Sequence, residues 1–101
     1  MGAMLKQAME MKGKMEQMKE ELGNERIEAN SGAGMVQVVM SGKMELLSIK
    51  IDPEIINAAE AEMLETLVQA AVNEGSRKVQ EVVKEKMAGM TGGIDIPGLT
   101  S

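Results

Sequence analysis

The chain contains no cysteine, histidine, phenylalanine, tyrosine or tryptophan and only two prolines. Without thiol or imidazole there is no disulfide, no Cys/His zinc site, no thiol nucleophile and no Ser-His-Asp arrangement. Without aromatic rings there is nothing on which an unpaired base could stack, which excludes the usual single-strand nucleic-acid platforms. Long apolar runs are also missing. The start, Met1-Gly2-Ala3-Met4-Leu5-Lys6, lacks the basic and apolar regions of a signal peptide. No segment approaches the roughly 18 apolar residues of a membrane span, and the chain reads as soluble and cytoplasmic. Nor is there an excess of positive charge: 11 Lys and Arg stand against 16 Asp and Glu, a net charge of -5. That balance argues against a generic basic nucleic-acid binder, so the placement of the charges has to be read.

What the chain has in abundance is methionine, twelve among 101 residues. A chain this short is one domain (1–101) with a small core, which favours burial across a subunit interface. Residues 3–22 read as a first helix, rich in helix formers and free of proline and β-branched residues, with Gly23-Asn24 as its stop. Met4, Ala8, Met11, Met15, Met18 and Leu22 recur at steps of four and three, the a and d positions of a heptad seam. Gly13 falls at f, away from that seam. The e and g positions are Leu5, Gln7, Lys12, Lys14, Lys19 and Glu21. In a parallel self-paired coil Lys14 would face Lys19 of the partner helix, so the seam suits an acidic neighbour better than its twin. The acidic half of the second helix is the expected neighbour. The lysines are either a solvated flank, with Glu10 and Lys14 paired at i,i+4, or contacts for an anion.

From Glu25 to Ile51 the period falls to two. Arg26 to Ala29, Met35 to Ser41 and Met44 to Ile51 read as three strands of an antiparallel meander, with Leu47, Ile49 and Ile51 sharing a face of the third. They are joined by Asn30 to Gly34 and by a tight Gly42-Lys43 turn. Gly32-Ala33-Gly34 and Gly42-Lys43 lack the further glycine or hydroxyl of phosphate-binding loops and read as hairpin turns. Asp52-Pro53-Glu54 is a helix start: Asp caps, Pro takes the first position and Glu lies at the positive end of the dipole. A helical region follows over 53–88. Its apolar stripe runs from Leu64 through Leu67, Val68, Ala71, Val72, Gly75, Val79, Val82 and Val83 to Met87. Gly75 marks either a close approach of another chain segment or a kink. Residues 58–75 carry Glu60, Glu62, Glu65 and Glu74 and no base, whereas 76–88 carry Arg77, Lys78, Lys84 and Lys86 against Glu81 and Glu85. This polarity complements the helix dipole and also leaves a locally basic end. Residues 89–101 read as a flexible tail. The fold class is α+β, in the order α-β-β-β-α.

The Met, Gln, Lys and Glu-rich opening helix is followed in order by Gly34-Met35-Val36-Gln37-Val38, Ser41-Gly42-Lys43, Ile49-Lys50-Ile51-Asp52-Pro53, Ala70-Ala71-Val72-Asn73-Glu74, Arg77-Lys78, and Glu85-Lys86-Met87 before Thr91-Gly92-Gly93. This ordered set of strings resembles the YbaB/EbfC nucleoid-associated proteins. Ser41 and Gly75 depart from the Asn and Ala often found there. The resemblance implies a tweezer-like homodimer, without enzymatic activity or cofactor, that binds double-stranded DNA in the bacterial cytoplasm, in the nucleoid. It also implies DNA contact by Lys12, Lys14 and Lys19 on the first helix and Arg77, Lys78, Lys84 and Lys86 on the last. The alternative reading is a protein-interaction scaffold that docks a partner helix on the Met-rich seam. No carboxylate pair has the spacing of an acid/base dyad, which argues against an enzyme.

Overall fold

A computed structural model describes residues 2–90. Helix α1 spans Gly2–Asn24, strands β1 to β3 span Ile27–Ser31, Val36–Met40 and Leu46–Ile51, and helix α2 spans Ala61–Met90. Two short 3-10 turns, Pro53–Ile55 and Ala58–Glu60, separate β3 from α2. The order is the expected α-β-β-β-α. The first helix runs two residues further than expected, through Gly23-Asn24, and the last continues through Gly89 to Met90. The reading of residues 91–101 as a tail lies outside the described residues.

The sheet is an antiparallel meander in the order β1-β2-β3. Ala29 pairs with Val38 and Val38 with Ile49, so alternate residues of all three strands share one face. On that face Ile27, Ala29, Val36, Val38 and Met40 are buried beneath α2, and Ala71 and Val79 of the helix are wholly buried against them. Each of the Ile, Val and Met side chains among them contributes about 1.5 to 3 kcal/mol when removed from water. The helix lies over β1 and β2 and makes at most marginal contact with β3. Two hydrogen bonds tie it down further: the Ser31 hydroxyl donates to the Leu67 carbonyl, and the Lys78 ammonium donates to the Glu28 carbonyl at 3.0 Å.

Gly75 belongs to one unbroken helix. A Cβ there would lie 2.8 Å from the Met40 sulfur and 3.3 Å from Val38 Cγ2, so close approach, and not a kink, explains the glycine. The expected shared face of Leu47, Ile49 and Ile51 fails at a β-bulge. Val39 pairs with Ser48 but Met40 pairs with Leu46, leaving Leu47 as the extra residue. The bulge follows from the loop before it. Ser41 is buried and its hydroxyl accepts from the Lys43 and Glu45 amides at 3.1 and 3.4 Å, while the Ser41 amide donates to the Glu45 carbonyl at 2.9 Å. The connection is therefore wider than a two-residue turn, and Met44, with φ of 67°, takes the left-handed conformation within it.

Gly42 does a different job. Its amide donates to the Leu22 carbonyl at 2.7 Å, which docks the hairpin on the last turn of α1. A Cβ at position 42 would stand 2.6 Å from that oxygen and 2.9 Å from Leu22 Cα, and neither backbone atom can rotate away. Gly42→Ala is expected to cost about 1 to 3 kcal/mol, lowering Tm by on the order of 10 °C in thermal unfolding followed by far-UV circular dichroism. Gly13→Ala, in open space on α1, serves as the contrast and is expected to stabilise by about 1 kcal/mol.

Candidate nucleic-acid interface

Helix α1 is an arm. Leu22 is its buried residue and Met18 is half-buried, while Met4, Met11 and Met15 of the same seam remain exposed. The outline of the molecule, 67 × 28 × 16 Å, reflects that projection. The helix touches α2 at the C-terminal end of α2, where Lys14, Gln17, Met18 and Glu21 line a shallow groove with Lys86 and Gly89. The expected neighbour, the acidic half of α2, is instead laid across the sheet. The reason is register: Leu64, Leu67, Val68 and Ala71 are committed to the cluster around Val36 and Val38.

The seven expected contact residues fall into two groups. Lys12, Lys14 and Lys19 are exposed on the arm, and Lys84 is exposed on α2. Among the described residues none of these four forms an ion pair, and Glu10 does not pair with Lys14. Lys12 and Lys19 are seven residues apart on one side of the seam, about 10 Å along the axis, and Lys14 lies on the other side. Lys6, which the heptad reading passed over at an f position, stands on the same arm and is likewise unpaired; a plain count of basic residues along the helix finds it.

The other three are occupied. Arg77 donates to Glu74 at 2.6 Å and to Glu81 at 2.7 Å, one turn to either side. Hydrogen bonding to Arg77 holds the Glu74 carboxyl below its ordinary range, and the bond to Glu74 raises Arg77 further above its already high value. The pair's contribution is therefore present above the ordinary carboxylate pKa and is lost as pH falls through the lowered value of Glu74. At neutral pH the three side chains together carry a charge of -1, so this segment is not a basic patch. Lys78 is held by the Glu28 carbonyl. Lys86 bridges to Glu21 at 3.6 Å and Glu25 at 3.3 Å, joining the base of the arm to α2.

This division predicts a gain. Glu74→Gln/Glu81→Gln releases Arg77 as an available cation, and duplex-DNA affinity is expected to rise about two- to tenfold at low salt, with a steeper salt dependence. Fluorescence anisotropy at several salt concentrations measures both.

Comparison with known proteins gives this geometry its context. The model of the YbaB/EbfC DNA-binding family matches residues 1–94. A nucleoid-associated protein of Thermoanaerobacter pseudethanolicus is 45% identical over 96 residues, covering 95% of this chain and 86% of that protein. A nucleoid-associated protein of Desulforamulus reducens is 46% identical over 99 residues, covering 98% and 94%. Among solved structures, an uncharacterized protein from Helicobacter pylori superposes with a TM-score of 0.75 at 28% identity, covering 89% of this chain and 91% of that one. The family is defined by DNA binding and not by a reaction. A helical arm with unpaired lysines, built on a meander clasped by one long helix, thus occurs in a chain that belongs to the YbaB/EbfC DNA-binding family.

Proposed function

We infer that the protein is a homodimeric nucleoid-associated protein of the bacterial cytoplasm that binds double-stranded DNA with little sequence specificity and organises the chromosome or modulates transcription. The observation that carries this reading is the set of unpaired Lys12, Lys14 and Lys19 on an arm standing clear of the core. Phosphate contacts by such residues release counterions and carry no sequence information. Lys84 is a further exposed cation, on α2, with no ion pair among the described residues, and Arg77, Lys78 and Lys86 contribute less because each must first give up a protein partner.

The dimer is supported by β3. Its outer edge pairs with no strand among the described residues, and Leu46, Leu47 and Ile49 of this strand are exposed at 47%, 44% and 42%. Apolar residues in that number on an uncovered edge mark a contact surface. Pairing two chains through β3 presents two arms to one duplex, while the acidic remainder limits indiscriminate association.

Raising salt from about 50 to about 200 mM is expected to weaken duplex binding by at least about tenfold, since even a few phosphate contacts produce that slope. Sedimentation with and without duplex at the two salts reports dimerisation and binding together. Binding insensitive to salt would overturn the electrostatic mechanism. With no aromatic residue, the protein is followed by peptide absorbance or refractive index.

A further inference from the structure

We propose that the open half of the α1 seam, Met4, Ala8, Met11 and Met15, is a docking surface for an amphipathic helix with carboxylates along its flanks. The inference is independent of DNA binding. Helix α2 covers the seam only at Met18 and Leu22, whereas Met4, Met11 and Met15 are 76%, 54% and 42% exposed. The four open positions span about 16 Å along the axis, three turns or about one and a half heptads, which a partner helix of two to three heptads covers in full. Methionine side chains re-pack around partners of different shape, so the stripe does not demand one fixed complement.

Charge selects the occupant. In heptad terms the flanks of the open half are Leu5, Gln7, Lys12 and Lys14, with Lys19 next, and none of these is acidic. The first acid on either flank is Glu21, and Lys86 already engages it. Lys12, Lys14 and Lys19 form no ion pair among the described residues. A second copy of α1 does not fit. In a parallel pair Lys14 meets Lys19, and in an antiparallel pair the Lys12 and Lys19 flank meets itself while Lys14 again faces the partner's Lys14 or Gln7. A helix with Glu at its e and g positions turns each of these repulsions into an attraction and buries the stripe.

The test uses the full chain and three synthetic, fluorescently labelled peptides of three heptads, with Leu at a and d, that differ only in Glu, Gln or Lys at e and g. Anisotropy is expected to give the Glu peptide at least about tenfold tighter binding than the Lys peptide, with Gln between them and the spread narrowing as salt rises. Met11→Gln/Met15→Gln is expected to weaken the Glu peptide at least about tenfold with unchanged helicity and Tm, because both positions are exposed in the free chain. Equal binding of the three peptides, or indifference to the Met substitutions, overturns the proposal. So does Glu-peptide binding that emerges only when the chain is cut after Gly89, which would make residues 90–101 the occupant, or self-association abolished by the same Met substitutions, which would make it a second copy. Duplex binding is measured separately on the same samples, so loss of one reading does not remove the other.

Discussion

Replacing Lys12, Lys14 and Lys19 together by alanine is expected to lower duplex-DNA affinity by at least about tenfold at low salt and to leave the protein dimeric with an unchanged Tm. The stability half follows from exposure: the three side chains reach solvent from the arm and none holds another element in place. Alanine is also the best helix former, so the arm persists. The affinity half follows from counterion release. Each phosphate contact contributes about 0.9 to the slope of log K against log salt, and a two-armed complex loses as many as six contacts. A flatter slope is thus the diagnostic result, more informative than the affinity alone. Lys84→Ala is expected to flatten it further, and Lys86→Ala to act by a different route, loosening the arm from α2 through loss of the Glu21 and Glu25 bridges. A triple variant with the parent slope would place the DNA surface elsewhere, with Lys43 and Lys50 of the hairpin as the next cations to test.

A second large effect is expected at β3. Leu46→Glu/Ile49→Glu is expected to convert the proposed dimer to monomers in sedimentation, because two exposed apolar side chains are replaced by carboxylates that association would have to strip of water. Both side chains are already exposed in the single chain, so the isolated subunit keeps its far-UV spectrum. DNA affinity is expected to drop by about 10² or more, since two linked arms convert the second engagement into an intramolecular event. Leu46 stands opposite Met40 and Ile49 opposite Val38, on the face that α2 covers over β1 and β2, but α2 hardly meets β3, so both side chains lie at the exposed margin of that face and outside the buried core. A variant that stays dimeric would exclude this edge as the contact.

How much of this was legible beforehand differs by element. The α-β-β-β-α order could be read because apolar spacing changes from steps of three and four to steps of two near Glu25 and back again after Ile51-Asp52-Pro53. The cap behaves as its residues dictate: the Asp52 carboxylate accepts from the Glu54 amide at 3.0 Å with Pro53 in the first turn. The stripe from Leu64 to Val83 was also correct as a core face, since one long helix over a sheet must bury what repeats on that side. The bulge at Leu47 was not legible, because it depends on how the buried Ser41 hydroxyl gathers the 43 and 45 amides, a long-loop geometry with no periodic signature. At the candidate interface, sequence spacing exposes only neighbours three or four apart. It could therefore suggest Arg77 with Glu74 and Glu81, but not Lys86 with Glu21 and Glu25 or Lys78 with Glu28, whose partners lie on other elements. The pair it did favour, Glu10 with Lys14, is not formed among the described residues, whereas Arg77 with Glu81 at the same spacing is, so spacing alone does not decide which exposed pairs close.

The hold of Lys78 on the Glu28 carbonyl bears on something other than DNA. A meander has two edges, and if both accepted strands, subunits would add head to tail without limit, as open-ended sheets do. Here Glu28 lies on β1, the other edge strand, and an ammonium group sits on its carbonyl while α2 packs alongside. β3, by contrast, has no pairing partner on its outer side among the described residues. Under the proposed pairing through β3, one partly guarded edge and one open edge favour an assembly that closes at two copies over one that extends without limit.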